Sequence, residues 1–355
     1  MPDLDMASFH PEKMQAWLYS STTGGMEKNL HLHASTRTPP APRGNQILVK
    51  VLSAALNPAD YKVAELGLPF RMLIGSPATP GMDFCGRVTS TGPLAKHLKE
   101  GTLVYGCSAR PVQFGSLAEY ITVAADTISV VPEGLGVDHA AAVGVTGQTA
   151  YQSLDGYVSA GSKVLINGGS GGCGIFAIQI AKALGCHVTT TCSTRNMELC
   201  YRLGADAVID YTAEENLVEK LASSGVVFDH VLDHVGAPAD MYYQCHRFLK
   251  EGGAFVQVGA SSVMTFIGRL LWPAFLGGGQ RKYVTLATRI DLKQLGQLGE
   301  WLADGTVKMQ LDSVFEFNDT VKAFEKLRSG RARGKIVVHV SDRHAQNMEP
   351  FGIGL

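Results

Sequence analysis

The sequence has no excess of either charge: lysine and arginine together number 31, aspartate and glutamate 32. A chain so balanced has no single-sign field, which argues against nucleic acid or an anionic membrane surface as partner. Its seven cysteines nowhere form a C-x-x-C pair. That spacing excludes the common structural zinc and dithiol motifs, and the odd, scattered count argues against a disulfide frame. No apolar secretory segment opens the chain, and no apolar run is long enough to span a bilayer. The best candidate, IGRLLWPAFLGGG from Ile267, is interrupted by Arg269 and Pro273. The expectation is a cytoplasmic protein with reduced thiols and no membrane contact.

Glycine is abundant instead, at 40 residues in a chain of 355, which suits many tight strand-to-helix turns. The length suggests two domains. From MQAWLY to about residue 135 the pattern is short strands and turns: QILVKVLSAAL (46–56), GRVTSTG (86–92), GTLVYG (101–106) and SLAEYITV (116–123). Little helical periodicity interrupts them, so a β-rich barrel or sandwich is expected. Near Val137 the texture changes. DHAAAVGVTGQTAYQSL (138–154) is helix-like, with Asp138 as its cap. Strands KVLIN, HVTTTC, AVID, FDHVLDHVG, GAFVQVGA and YVTLA then alternate with helices GIFAIQIAKALG, NMELCYRLG and MYYQCHRFLK. That alternation predicts an α/β fold with a doubly wound parallel sheet. Helices around 291–303 and 318–328 precede a last strand, KIVVHV, expected to return to the first domain. The domain boundaries expected are 14–136 with 289–340, and 137–288, with tails at 1–13 and 341–355.

NGGSGGCG (167–174) follows the strand KVLIN and opens the next helix. Gly169, Gly171 and Gly174 satisfy G-x-G-x-x-G, a weak signal alone and a strong one in strand–turn–helix context. Such a turn lets the backbone approach a pyrophosphate at the helix N-terminus. About twenty residues beyond, a carboxylate belongs if the ligand is NAD, because it bonds the ribose 2′-OH. CSTRN (192–196) stands there. Ser193 and Arg195 suit a 2′-phosphate, which a carboxylate repels. The expected cofactor is NADPH, with Tyr211 covering the adenosine side.

With these residues in place the sequence resembles a medium-chain dehydrogenase/reductase. NPADYK (57–62), GMDFCG (81–86), GSLAEY (115–120), VTGQTAY (145–151), GGSGGCG (168–174), LGADAVIDY (203–211), DHVG (233–236) and GKIVVHV (334–340) carry the likeness. The resemblance implies a GroES-like β-rich catalytic domain beside a Rossmann domain. It also implies a cofactor set of Lys62, Thr146, Gly169, Ser170, Gly171, Gly172, Cys173, Gly174, Ser193, Arg195, Tyr211, Val235, Gly259 and Lys335. Zinc-dependent members place Cys near residue 57 and read G-H-E where this chain reads Gly81–Met82–Asp83. Asn57 and Met82 are poor zinc ligands, so no metal is expected. The chain is most similar to the zinc-free quinone oxidoreductase and enoyl reductase branch, including fungal stand-alone enoyl reductases of polyketide pathways.

Without a Lewis acid, a conjugated enone, enoyl thioester or quinone is an easier hydride acceptor than a simple ketone, because charge spreads to an oxygen that modest hydrogen bonding stabilises. Lys62 is the first choice for contacting the cofactor or polarising that oxygen, with Asn57 and Tyr61 behind it. Thr146 is expected in a loop beside the nicotinamide. Leu68 stands where mitochondrial-type enoyl reductases carry a tyrosine proton donor, which leaves the donor unassigned. A hydrophobic small-molecule substrate, a polyketide-synthase-type partner and a monomer or a homodimer paired through YVTLA complete the expectations. Two other readings stand beside reduction: a cofactor-binding scaffold, and a non-redox catalyst on the same fold. His230 and His234, four apart at a strand end, are read as structural rather than metal-binding.

Overall fold

The computed structural model describes residues 10–108, 110–259, 263–272 and 276–341. Of the expected tails, residues 1–9 and 342–355 lie outside these, as do 261–262 and 273–275 of the apolar stretch at 261–275. The chain divides into two compact units, one of Met1–Val145, Ile290–Ala303 and Leu311–Leu355, the other of Thr146–Arg289 and Asp304–Gln310.

The first unit begins with a ribbon of β1 (Lys13–Leu18) and β2 (His31–Arg37). A larger sheet follows from β3 (Gln46–Leu56), β4 (Asp83–Thr91), β5 (Leu103–Cys107), β6 (Tyr120–Ala124) and β7 (Ile128–Val130). The long β3 is buried on both faces, and it pairs antiparallel with β4 and β6. Two short helices, α1 (Pro58–Glu65) and α2 (Leu68–Ile74), interrupt the β-rich stretch where none was expected. They are too short to show a clear 3.6-residue period. Their signals are local: a proline in the first turn of each, and Gly75 with φ 103° ending α2.

The helix-like stretch from Asp138 is two helices, α3 (Val137–Ala141) and α4 (Gly144–Leu154). Asp138 is not the cap; Gly136 holds that position. The Asp138 carboxylate instead accepts from Ser53 Oγ at 2.6 Å and lies 2.9 Å from His339 Nε2, tying α3 to the sheet. The last part of the unit is α10 (Leu292–Ala303), β14 (Leu311–Glu316), α11 (Thr320–Arg328) and β15 (Lys335–His339), and β15 pairs antiparallel with β3. Thus the final strand does return to the first sheet. Strand β14, absent from the sequence reading, pairs parallel with β15.

The second unit is a parallel sheet in the order β10-β9-β8-β11-β12-β13, with β8 (Lys163–Asn167), β9 (His187–Cys192), β10 (Ala207–Asp210), β11 (Phe228–Asp233), β12 (Leu249–Gln257) and β13 (Lys282–Thr285). This is the 3-2-1-4-5-6 order of a dinucleotide fold, whose strand order reverses between β8 and β11. The central strands are apolar because helices cover both faces. Helices α5 (Gly172–Ala183), α6 (Met197–Arg202), α7 (Leu217–Ser223), α8 (Met241–Gln244) and α9 (Val263–Leu271) connect them. The segment MYYQCHRFLK was expected to be one helix. It is the single turn α8, a 3-10 turn over Cys245–Arg247, and the start of β12.

Candidate active site

In the second unit the expected residues gather at the carboxyl ends of the parallel strands, where ligands of open α/β sheets bind. Gly171 caps α5 with no side chain of its own to satisfy the first N–H groups. A Cβ on Gly174 would lie 2.2 Å from Gly168 O, so the turn closes only with glycine there. A Cβ on Gly171 meets nothing nearer than 3.5 Å. The first glycine role is internal packing. The second leaves open space beside Gly171 at the N-terminus of α5, which suits an anionic pyrophosphate.

The end of β9 is joined to this turn by a residue the sequence reading passed over. Asn196 is 6% exposed, and its Nδ2 donates to Ser170 Oγ at 3.0 Å and Ser193 Oγ at 3.2 Å. Both serine hydroxyls in the expected set are therefore held by one amide. Arg195 is exposed one position earlier, and Tyr211 is 50% exposed beyond β10. The neighbouring Asp210 carboxylate accepts from Thr194 Oγ1 at 2.5 Å and Thr212 Oγ1 at 2.6 Å. These hydroxyls hold its pKa below the usual carboxylate value.

Behind these groups lies a buried polar network. Asn167, at the end of β8, donates through Nδ2 to Asp233 Oδ1 at 2.9 Å and accepts from Thr191 Oγ1 at 2.6 Å. Asp233, at the end of β11, also accepts from the N–H groups of Val235 and Gly236. Burial raises its pKa, and these donors oppose the rise. Arg269 of α9 has Nη1 3.5 Å from Asp233 Oδ2, and the same nitrogen donates to Gln257 Oε1 at 2.7 Å. Val235 lies two residues beyond Asp233, and Gly259 N donates to Asp233 O at 3.3 Å. The His230 ring sits 2.8 Å from Ser153 O and stacks on Tyr157 at 5.0 Å. Burial pushes His230 and His234 down to about 4, so both imidazoles are neutral near pH 7.

Thr146 is inside the first turn of α4 rather than in a loop, and is 5% exposed.

In the first unit, NPADYK is the start of α1. Lys62 is exposed, whereas Tyr61 is 8% exposed and packs in the core with the Arg328 guanidinium 4.3 Å from its ring centroid. Successive helix positions point about 100° apart, so the two side chains cannot share a face. Asn57 is 1% exposed. Its Nδ2 donates to Asp83 Oδ2 at 2.9 Å, and its Oδ1 accepts from Lys335 Nζ at 2.7 Å. Lys335 also donates to Leu56 O at 3.1 Å and Asp83 Oδ2 at 3.2 Å. An ammonium has three N–H bonds, and all three are used within this unit. Lys335, expected in the cofactor set, thus has three acceptors inside the first unit. At the positions where the resemblance led to an expectation of Cys and His in zinc-dependent members, Asn57 and Met82 are both buried, and the cation bonded to Asn57 is the Lys335 ammonium. A divalent ion does not fit that donor set. Among the described residues no three His, Cys, Asp or Glu side chains are grouped to hold one.

Asp60 adds a second carboxyl to this region. It is fully buried; Oδ2 accepts from Asn57 N at 2.6 Å, and Oδ1 has no hydrogen-bond partner. Burial raises its pKa from 3.8 to about 8, only partly opposed by the Asn57 N–H. The native state therefore keeps a proton that the unfolded chain releases near pH 4. That stabilising contribution is complete at acid pH and declines as pH rises from about 4 to about 8, at roughly 1.4 kcal/mol per unit of pKa difference. Asp60→Asn lacks the titration. Its melting temperature relative to the wild type should rise by several degrees between pH 5 and pH 9. Parallel melting curves across that range would exclude the effect.

Residues 43–133 match the family model described as an alcohol dehydrogenase GroES-like domain, and residues 203–338 match the one described as a zinc-binding dehydrogenase. The trans-enoyl reductase pgmF of Aspergillus terreus is 43% identical, with 95% of this chain and 99% of that protein aligned. The chain belongs to the medium-chain dehydrogenase/reductase family. The family's GroES-like and Rossmann folds account for the two units, and its members are oxidoreductases that use a nicotinamide coenzyme. The chloroplastic NADPH-dependent alkenal/one oxidoreductase of Arabidopsis thaliana is 33% identical, over 93% of this chain and 80% of that protein. Among solved structures, the quinone oxidoreductase of Coxiella burnetii superposes with a TM-score of 0.82 at 32% identity, covering 93% of this chain and all of that one. These likenesses place the chain in the enoyl reductase and quinone oxidoreductase branch of the medium-chain dehydrogenases/reductases. No helix among the described residues is long and apolar enough to cross a membrane.

Proposed function

We propose that this protein is an NADPH-dependent reductase of conjugated C=C bonds, in enones or enoyl thioesters, and of quinones, working without a metal ion. The observation that carries the reading is Asn57, where zinc-dependent members carry a ligand, with its amide oxygen already engaged by the Lys335 ammonium; that suits acceptors that need no Lewis acid. Similarity to an NADPH-dependent alkenal/one oxidoreductase and to a trans-enoyl reductase supports it.

The turn Gly169–Gly174, with Ser170, Gly172 and Cys173, holds the pyrophosphate. Ser193 and Arg195 bind the 2′-phosphate, Arg195 through charge-assisted bonds, and Tyr211 covers the adenosine. Thr146, Val235 and Gly259 serve the nicotinamide half. The bound coenzyme supplies the hydride. Lys62 stabilises negative charge developing on the acceptor oxygen, an interaction stronger in the transition state than in the ground state. Asn57 orients the start of α1, and Tyr61 anchors that helix in the core. Leu68, Phe70, Met72 and Leu73 of α2 are exposed soon after Lys62, which suits an apolar substrate. A substrate delivered by a polyketide-synthase-type partner in a secondary-metabolite pathway accords with the trans-enoyl reductase similarity.

The test is NADPH oxidation against panels of enones, enoyl thioesters and quinones, with and without a chelator. Turnover of at least one panel, unaffected by the chelator, is expected. Tight coenzyme binding with no turnover of any panel would overturn the reading.

A further inference from the structure

Lys335 is 2% exposed and Asp83 fully buried, yet neither touches a group assigned above to substrate or coenzyme. Their location follows from strand register. Strands β15, β3 and β4 are neighbours; Ile336 is level with Leu56 and Ala55 with Asp83. The start of β15, the end of β3 and the first residue of β4 thus meet at one end of these strands. Two helices start from the groups they hold. Asn57, bonded to Lys335 through Oδ1, is the N-cap of α1. Asp83, bonded to Lys335 through Oδ2, accepts from Val145 N through Oδ1 at 2.8 Å, in the first turn of α4. A Cβ on Gly144 would lie 2.4 Å from that oxygen, so the approach depends on glycine.

We propose that Lys335 is a positioning residue whose buried ammonium, acting through Asn57 and Asp83, sets the N-termini of both α1 and α4, the helices that carry Lys62 and Thr146. It holds no coenzyme directly. A carboxylate facing the first turn of α4, as that of Asp83 does, is favourable by itself, since it meets the positive end of the helix. It has one orientation only while the ammonium occupies its other oxygen. The Asn57 amide likewise has one orientation, because an ammonium accepts no bond and must face Oδ1. Removing the charge frees both.

This inference rests on the proposed function for its kinetic arm but not for its structural one. The variants are Lys335→Arg, Lys335→Met and the charge-balanced double variant Lys335→Met/Asp83→Asn, which avoids an isolated buried carboxylate and keeps the test open if the single variant does not fold. In the double variant, amide hydrogen exchange should accelerate over residues 57–65 and 144–149 and stay unchanged in the strand 187–192. NADPH affinity by fluorescence titration should remain within about threefold. With the acceptor that the wild type turns over best, kcat should fall at least tenfold at nearly constant KM, with partial recovery in Lys335→Arg. Unchanged exchange in both segments would overturn the proposal. So would a tenfold loss of NADPH affinity with kcat preserved, because Lys335 would then hold the coenzyme itself. A wild type with no turnover refutes the proposed function, while the exchange measurement still decides the positioning role.

Discussion

Replacing Arg269 by methionine is expected to destabilise the second unit by about 3 kcal/mol, because it leaves the Asp233 carboxylate buried without its cation. The side chains of this pair are 1% and 0% exposed. The guanidinium also donates to Gln257 Oε1 and, at 2.8 Å, to Ala239 O, and it lies 5.8 Å and 6.0 Å from the ring centroids of Tyr242 and Phe255. Methionine fills similar space and meets the aromatic rings well but satisfies none of these acceptors. For a unit of this size the loss corresponds to roughly 10 °C in the melting temperature. Because Asp233 also accepts from Asn167, Val235 and Gly236, Asp233→Asn combined with Arg269→Met should recover part of it. A single variant melting within about 2 °C of the wild type would show the pair to be unimportant. The same guanidinium anchors α9, whose Ile267, Leu270 and Leu271 remain exposed.

Arg195→Glu should weaken NADPH binding by roughly 100-fold, while changing NADH affinity by no more than a few-fold. A charge-assisted bond to a phosphate contributes about 1.5–3 kcal/mol, and a carboxylate in its place adds repulsion. Combining it with Ser193→Asp should turn the preference toward NADH, since a carboxylate at the end of β9 accepts from a free ribose 2′-OH. Fluorescence titration with both coenzymes measures this directly. A wild type that binds NADH more tightly, or a variant that retains NADPH affinity, would refute the 2′-phosphate assignment. Asn196 sharpens the expectation. It orients Ser193 through the same amide that holds Ser170, so Ser193 cannot turn away to solvent without breaking the link to the glycine turn.

Much of this molecule is legible in one dimension. The glycine turn, the β8–α5–β9 unit around it and the Ser193–Arg195 pair are contiguous, and each carries its chemistry in local spacing. The alternation of strand and helix likewise announced the parallel sheet, because buried parallel strands must be apolar throughout and their crossovers must be helical. Shorter elements were less visible. Helices α1 and α2 run 8 and 7 residues, too few for periodicity to outweigh the surrounding β pattern. The placement of Asp138 depended on a partner in β15, some two hundred residues on, which no cap rule anticipates.

What the sequence settled without help is the fold class, the glycine turn between β8 and α5 and the family, since these rest on local periodicity and on motifs whose members are neighbours in the chain. Only the tertiary structure decided which polar side chains do the holding. Asn57, Asp83 and Lys335 are distant in sequence and meet through the register of three strands. Asn167, Asp233, Gln257 and Arg269 meet because parallel strands end at one edge with α9 alongside. A buried charge must find its partners in space, and spatial neighbours across a sheet leave no periodic trace along the chain.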